Sequence, residues 1–127
     1  MNVTEADRVW NRAALEGGGM TAREGDRALA ALLVAHGLVM NGGVEQAMEA
    51  LSADELEAAA AGFRFFSFGE VASLLEESSI NGVLDEEKVE EADDRYAEVI
   101  PDDSTLVDRF SDVFRVSPDL FAPFEPA

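Results

Sequence analysis

Apolar side chains recur at helical rather than strand spacing along nearly the whole chain, and the strongest run lies over residues 25–51. Leu29, Leu32, Leu33, His36 and Met40 follow i, i+3, i+4, i+7 and i+11, so they share one face of a helix. Val34, Leu38 and Val39 widen the apolar surface beyond one stripe, the pattern of a helix covered on most sides. Gly25-Asp26 reads as its cap. Asn41-Gly42-Gly43 is expected to end it, because glycine takes positive φ at little cost and asparagine tolerates it. Val44, Ala47, Met48 and Leu51 then mark a shorter helix that packs back.

The remaining elements are arranged around that stretch. Residues 4–16 read as a helix with Thr4 as cap and Asp7 as its reciprocal partner, Val9 and Ala13 inward, ended by Gly17-Gly18-Gly19. Ser52-Ala53-Asp54-Glu55 is a capping box that opens a helix with Leu56, Ala59, Ala60 and Phe63 inward. Phe63, Phe65, Phe66 and Phe68 form an aromatic cluster suited to wedging between helices. Ser67-Phe68-Gly69-Glu70 reads as another capping box, before a helix with Val71, Leu74 and Leu75 inward. The run Ser78-Ser79-Ile80-Asn81-Gly82 stops that helix. Residues 85–98 carry a narrow stripe of Val89, Ala92, Tyr96 and Val99. Pro101 ends it, and Asp102-Asp103-Ser104 caps a last helix with Leu106, Phe110, Val113 and Phe114 inward. No segment alternates as a strand should. The expectation is an all-α single domain over 1–127, six or seven short helices around a central buried one, with 118–127 a tail whose Phe121 and Phe124 either dock on the core or project toward a partner.

Charge changes this picture most. The chain has 27 acidic against 9 basic residues, a net charge of −18, and only Lys88 among the basic residues is a lysine. Such a field repels nucleic acid and anionic membranes and attracts basic partners. Absence of cysteine removes disulfides and thiolate ligands. A cytoplasmic location is the default expectation. Early Glu5, Asp7 and Arg8 argue against a signal peptide, and no uninterrupted run of about 18 apolar residues predicts a membrane span.

Catalytic signals are weak. His36 is the single histidine and falls on an apolar face, where a hydrogen-bonded core histidine is the favoured reading. No second histidine or cysteine completes a zinc site, and no loop matches the calcium-binding spacing. Gly17-Gly18-Gly19 follows a helix instead of opening one, so it reads as linker and not phosphate loop. Arg64 alone cannot make the aromatic cluster a nucleic-acid platform. No enzyme, no cofactor and no metal site is expected.

The acidic run is the candidate site. Glu86, Glu87, Glu90, Glu91, Asp93, Asp94 and Glu98 place seven carboxylates on about 20 Å of helix, at roughly 1.5 Å rise per residue. That is one per roughly 3 Å, against one phosphate per about 3.4 Å along a DNA strand. Several are like charges at i, i+4, a spacing that costs stability. Asp102, Asp103, Asp108 and Asp112 on the following helix are supporting candidates. A merely solvated face is the competing reading.

The stretch GDRALAALLVAHGLVMNGGVEQAMEAL, with Asn41-Gly42-Gly43 ahead of an amphipathic helix, and the following LSADELEAAAAGFRFFSFGEVASLL together resemble the bacterial DNA-mimic protein (DMP-like) family. The resemblance implies an all-helical fold. For function it implies a noncatalytic acidic protein, of a kind that acts as a dimer, occupying the basic DNA-binding surface of a transcription regulator or nuclease. The partner would be a basic DNA-binding protein, with no direct binding of nucleic acid and no membrane, and a homodimer is open. The alternatives are an immunity or adaptor protein that inhibits one toxin or enzyme, with the tail phenylalanines as anchors, and an acidic helical protein whose charge only confers solubility.

Overall fold

In the computed structural model, which describes residues 4–80 and 83–123, the apolar stripes resolve into six helices. They are α1 (Glu5–Glu16), α2 (Glu24–Ala50), α3 (Ala53–Phe65), α4 (Gly69–Glu77), α5 (Glu86–Val99) and α6 (Asp103–Val116). A short 3-10 turn, Pro118–Leu120, follows α6. Among the described residues, the one departure from helix is a two-residue antiparallel ladder, β1 (Ser79–Ile80) against β2 (Val83–Leu84), between α4 and α5. Asn81 and Gly82, expected to stop α4, lie outside the described residues.

Helix α2 is the axis, and α1, α3 and α5 pack along it. By length and composition it could cross a bilayer; here one arc of it, Leu29, Leu32, Ala35, His36 and Val39, is buried in the core. The buried stripe runs through these residues, so Met40 and Val34, expected inside, stay 55% and 54% exposed. The corner falls where expected: Gly42 (φ −147°, ψ 17°) and Gly43 (φ 81°, ψ 179°) break an otherwise continuous helix. Gly43 alone needs the positive φ that glycine supplies. Beyond the corner, Val44 and Ala47 are fully buried.

Two caps are as predicted. Thr4 and Asp7 exchange hydrogen bonds of 3.2 and 3.0 Å at the start of α1, and Ser52 and Glu55 do the same at 3.0 and 3.1 Å at the start of α3. Two others are corrected. Gly25-Asp26 is not the N-cap of α2: Arg23 holds that position and the helix begins at Glu24, while Asp26, wholly buried in the first turn, accepts the Arg23 N–H at 3.0 Å. Nor does Ser67 cap α4. Its φ of 65° makes it the left-handed residue that closes α3, with Ser67 N–H donating to Arg64 C=O at 3.0 Å and Phe68 N–H to Phe63 C=O at 2.7 Å. This is the Schellman arrangement, whose apolar partners Phe63 and Phe68 are both buried.

The aromatic cluster is core, as expected. Phe63, Phe66 and Phe68 are buried, and Phe63 meets the Tyr96 ring edge-on at 6.2 Å. Phe110 gathers Trp10, Phe66 and Phe121 at 5.6, 6.4 and 5.5 Å, joining α1, α3, α6 and the tail. Phe121 is therefore docked, only 2% exposed, while Phe124 lies outside the described residues. Glycine permits two close approaches. A Cβ on Gly62 would come 2.4 Å from Ala28 C=O of α2, and one on Gly25 would come 2.7 Å from the Phe121 ring.

Candidate functional site

Helix α5 turns its acids toward water because three residues, Val89, Ala92 and Tyr96, take the buried arc at i, i+3 and i+7. Asp85 starts the helix by accepting from the N–H groups of Glu87 and Lys88 at 3.1 and 3.3 Å. At about 100° per residue the remaining positions divide into three arcs. Glu87, Glu91, Asp94 and Glu98 point outward. Glu86, Glu90 and Asp93 flank the buried arc on the side of the second limb of α2, and the cations Lys88 and Arg95 flank it on the side of α4.

That division separates paired from unpaired charge. Arg95 binds Glu70 of α4 through two bonds of 2.6 and 3.0 Å and Glu98 at 2.5 Å. The Arg95 guanidinium holds the Glu70 carboxyl below the usual carboxylate range. Across α5, Glu86, Glu90 and Asp93 join Glu45 around Val89 to line a groove of about 260 Å³ with no basic residue in its lining among the described residues. Among the described residues, the carboxylates of Glu86, Glu87, Glu90, Glu91 and Asp94 take part in no hydrogen bond or ion pair, and all five residues are exposed.

Asp93 is the exception on this helix. Its Oδ1 accepts the Val44 N–H at 2.7 Å, and its carboxylate lies against Gly43. It thus caps the limb of α2 that restarts after the corner, with one oxygen already engaged. The supporting acids of α6 also divide. Asp102 caps α6 and is held below its ordinary pKa by the Ser104 hydroxyl and by backbone N–H groups. Asp103 accepts from the imidazole of His36 at 2.7 Å, leaving most of its side chain exposed. Asp108 and Asp112 are exposed on α6, Asp112 3.4 Å from Arg115.

His36 is the core histidine expected, with both ring nitrogens engaged. Nδ1 lies 2.5 Å from the Tyr96 hydroxyl and Nε2 2.7 Å from Asp103. A carboxylate accepts only, so Nε2 donates to Asp103, and the tautomer with its proton on Nε2 takes the Tyr96 O–H at Nδ1. This bridge ties α5 to the start of α6 through α2. Burial, and then the Asp103 charge, push the Tyr96 phenol well above its ordinary value. Sequence reasoning missed Glu45 and the bridge. Glu45 was legible in part, since inward Val44, Ala47 and Met48 leave position 45 facing outward; the bridge joins residues 60 and 67 positions apart and left no local signal. Among the described residues no three His, Cys, Asp or Glu converge as a metal-binding group.

The family model for DMP19-like protein matches residues 21–123. The chain belongs to the DMP19-like protein family. No curated protein and no solved structure matches it. The matched span takes in the α2 corner, the acidic α5 and the docked tail, and leaves out α1.

Proposed function

We propose that this DMP19-like protein is a noncatalytic acidic mimic of DNA, acting in the cytoplasm by occupying the basic DNA-binding surface of a partner such as a transcription regulator or nuclease. The observation that carries the reading is the asymmetry of α5. Its cations are gathered on the α4 side, where Arg95 is spent on Glu70 and Glu98, while five carboxylates stand exposed without a partner among the described residues. Glu86, Glu87, Glu90, Glu91, Asp94 and, more weakly, Glu98 stand in for phosphates, and arginine or lysine of the partner pairs with them. Asp108 and Asp112 extend the acidic surface. Asp93, Asp102 and Asp103 serve the fold first, through Val44, the α6 cap and His36. Burial of Phe121 removes one of the two tail anchors an inhibitor of a single toxin would have used.

The test is a pull-down from bacterial lysate in graded salt, with duplex DNA as competitor. Retention of a DNA-binding protein that both salt and duplex displace supports the reading, because contacts that replace phosphates are screened as phosphate contacts are. Capture indifferent to both would overturn it, as would capture unchanged by Glu86→Gln, Glu87→Gln, Glu90→Gln, Glu91→Gln and Asp94→Asn combined.

A further inference from the structure

Trp10, the single tryptophan, lies between two grooves. The first, about 290 Å³, is walled by Trp10 of α1, Leu33 and Val34 of α2, and Leu106 of α6. The second, about 240 Å³, is walled by Trp10 with Val107 and Phe110 of α6. The indole wall they share is braced edge-on against Phe110 at 5.6 Å. Val34 and Val107 remain 54% and 41% exposed at their edges. Each groove has one carboxylate among its lining residues, Asp103 in the first and Asp7 in the second, each with one oxygen engaged within the fold, by His36 and by the Thr4 N–H, and the other open to a partner; neither groove is lined by lysine or arginine among the described residues. His36 also lines the first groove, but both its ring nitrogens are engaged, so it offers a ligand no free polar group.

Two neighbouring apolar sockets, each beside a carboxylate, specify their occupant. Both lie at the lower end of the ~300 Å³ scale of small-molecule sites and open onto the surface, the form that takes single side chains of a larger partner. A helix presents apolar side chains at i and i+3 or i+4 about 5–6 Å apart, the arrangement that fills adjacent sockets. Charge then selects among helices. A second copy of this chain has no basic helix to offer, since each of its six helices carries more acidic than basic residues, and an anionic lipid surface would be repelled by the net charge of −18. We infer that the Trp10 grooves dock a basic amphipathic helix of a partner protein, its apolar side chains seated on either side of the indole and its lysines or arginines beside Asp7 and Asp103. This surface goes beyond the α5 acids, sharing with the acidic candidates above only Asp103.

Trp10 reports on the site directly. The full chain is titrated, at physiological salt, with a synthetic helical peptide of leucine and lysine patterned for one apolar face, and with a peptide of the same composition in scrambled order. The amphipathic peptide is expected to shift Trp10 emission to the blue, saturably, and to bind about tenfold or more tightly than the scrambled one, a difference of about 1.4 kcal/mol. In Val34→Ser/Val107→Ser, two changes at exposed positions that keep the helical circular dichroism, the preference is expected to disappear. In Glu86→Gln/Glu90→Gln/Glu91→Gln/Asp94→Asn it is expected to persist with both affinities lowered. Equal binding of the two peptides, an unmoved Trp10, or a preference that survives Val34→Ser/Val107→Ser would each overturn the inference. So would a Trp10 shift that follows self-association in sedimentation, or one produced equally by phosphatidylglycerol vesicles. Failure of DNA competition in the pull-down would leave this result standing, and the reverse holds as well.

Discussion

Asp26 and the outer acids of α5 are the same chemistry put to opposite uses. Asp26 is wholly buried and accepts from the Arg12 guanidinium at 2.7 Å, from Arg23 N–H at 3.0 Å and from Ala122 N–H at 2.8 Å. Arg12 also donates to Ala122 C=O at 2.9 Å, and Arg23 to Asp119 C=O at 3.0 Å, so one carboxylate and two arginines clasp the tail onto α1 and the start of α2. Glu87, Glu91 and Asp94 have no such donors and sit in water. A buried charge needs its partners inside the fold, whereas an exposed one costs little unpaired and stays available to another molecule. The contrast shows which of the acids hold the molecule together and which can serve recognition.

Removing a carboxylate from each class breaks or confirms that contrast. The largest effect is expected at Asp26→Ala, which takes the buried carboxylate away from Arg12 and leaves the Ala122 N–H without its acceptor, and should cost about 3–5 kcal/mol in urea unfolding. A loss near that of a surface mutation would show that the clasp is not structural. Asp93→Ala, on the acidic helix but serving the fold, should cost about 1–3 kcal/mol by leaving the Val44 N–H without its acceptor. If it behaved like its neighbours, Asp93 would belong with the recognition acids after all.

Tyr96→Phe sharpens the picture along pH. The folded phenol is raised above its ordinary 10.0, so the native state keeps the proton that the unfolded chain loses. Stability from this group is therefore complete below about pH 10 and declines as pH rises beyond it. The phenylalanine variant should lose about 0.5–1.5 kcal/mol near neutrality, with the His36 hydrogen bond, and show a flatter alkaline limb. An unchanged limb would mean the phenol does not feel the interior. The smallest effect is expected for Glu87→Gln/Glu91→Gln, whose members are like charges at i, i+4. Thermal unfolding should shift by under about 0.5 kcal/mol, in the stabilising direction, and the shift should shrink as salt is added. A clear destabilisation would show that these acids too are held by the fold.

Much of the architecture was readable locally. The capping boxes at Thr4 and Ser52, the corner at Gly42-Gly43 and the stripe of Val89, Ala92 and Tyr96 each depend on residues within a turn or two of one another, and each is where it was expected. Ser67 was misread because a serine two residues before glycine suits either a helix start or a left-handed helix end. The buried Phe63 and Phe68 pair decided for the latter. Met40 and Val34 were misread because periodicity reports that a face is apolar and not which arc of it the neighbouring helices cover.

Helical class, the order of helices and the excess of acid on residues 86–98 were determined by the sequence itself, since propensity, capping and apolar spacing act over short separations. Tertiary structure decided what each acid does. Asp26 meets Ala122 across 96 positions, Asp93 meets Val44 across 49 and Asp103 meets His36 across 67. Only packing brings donors from such distances to a carboxylate, so only the folded chain distinguishes an acid that closes the structure from one left facing water.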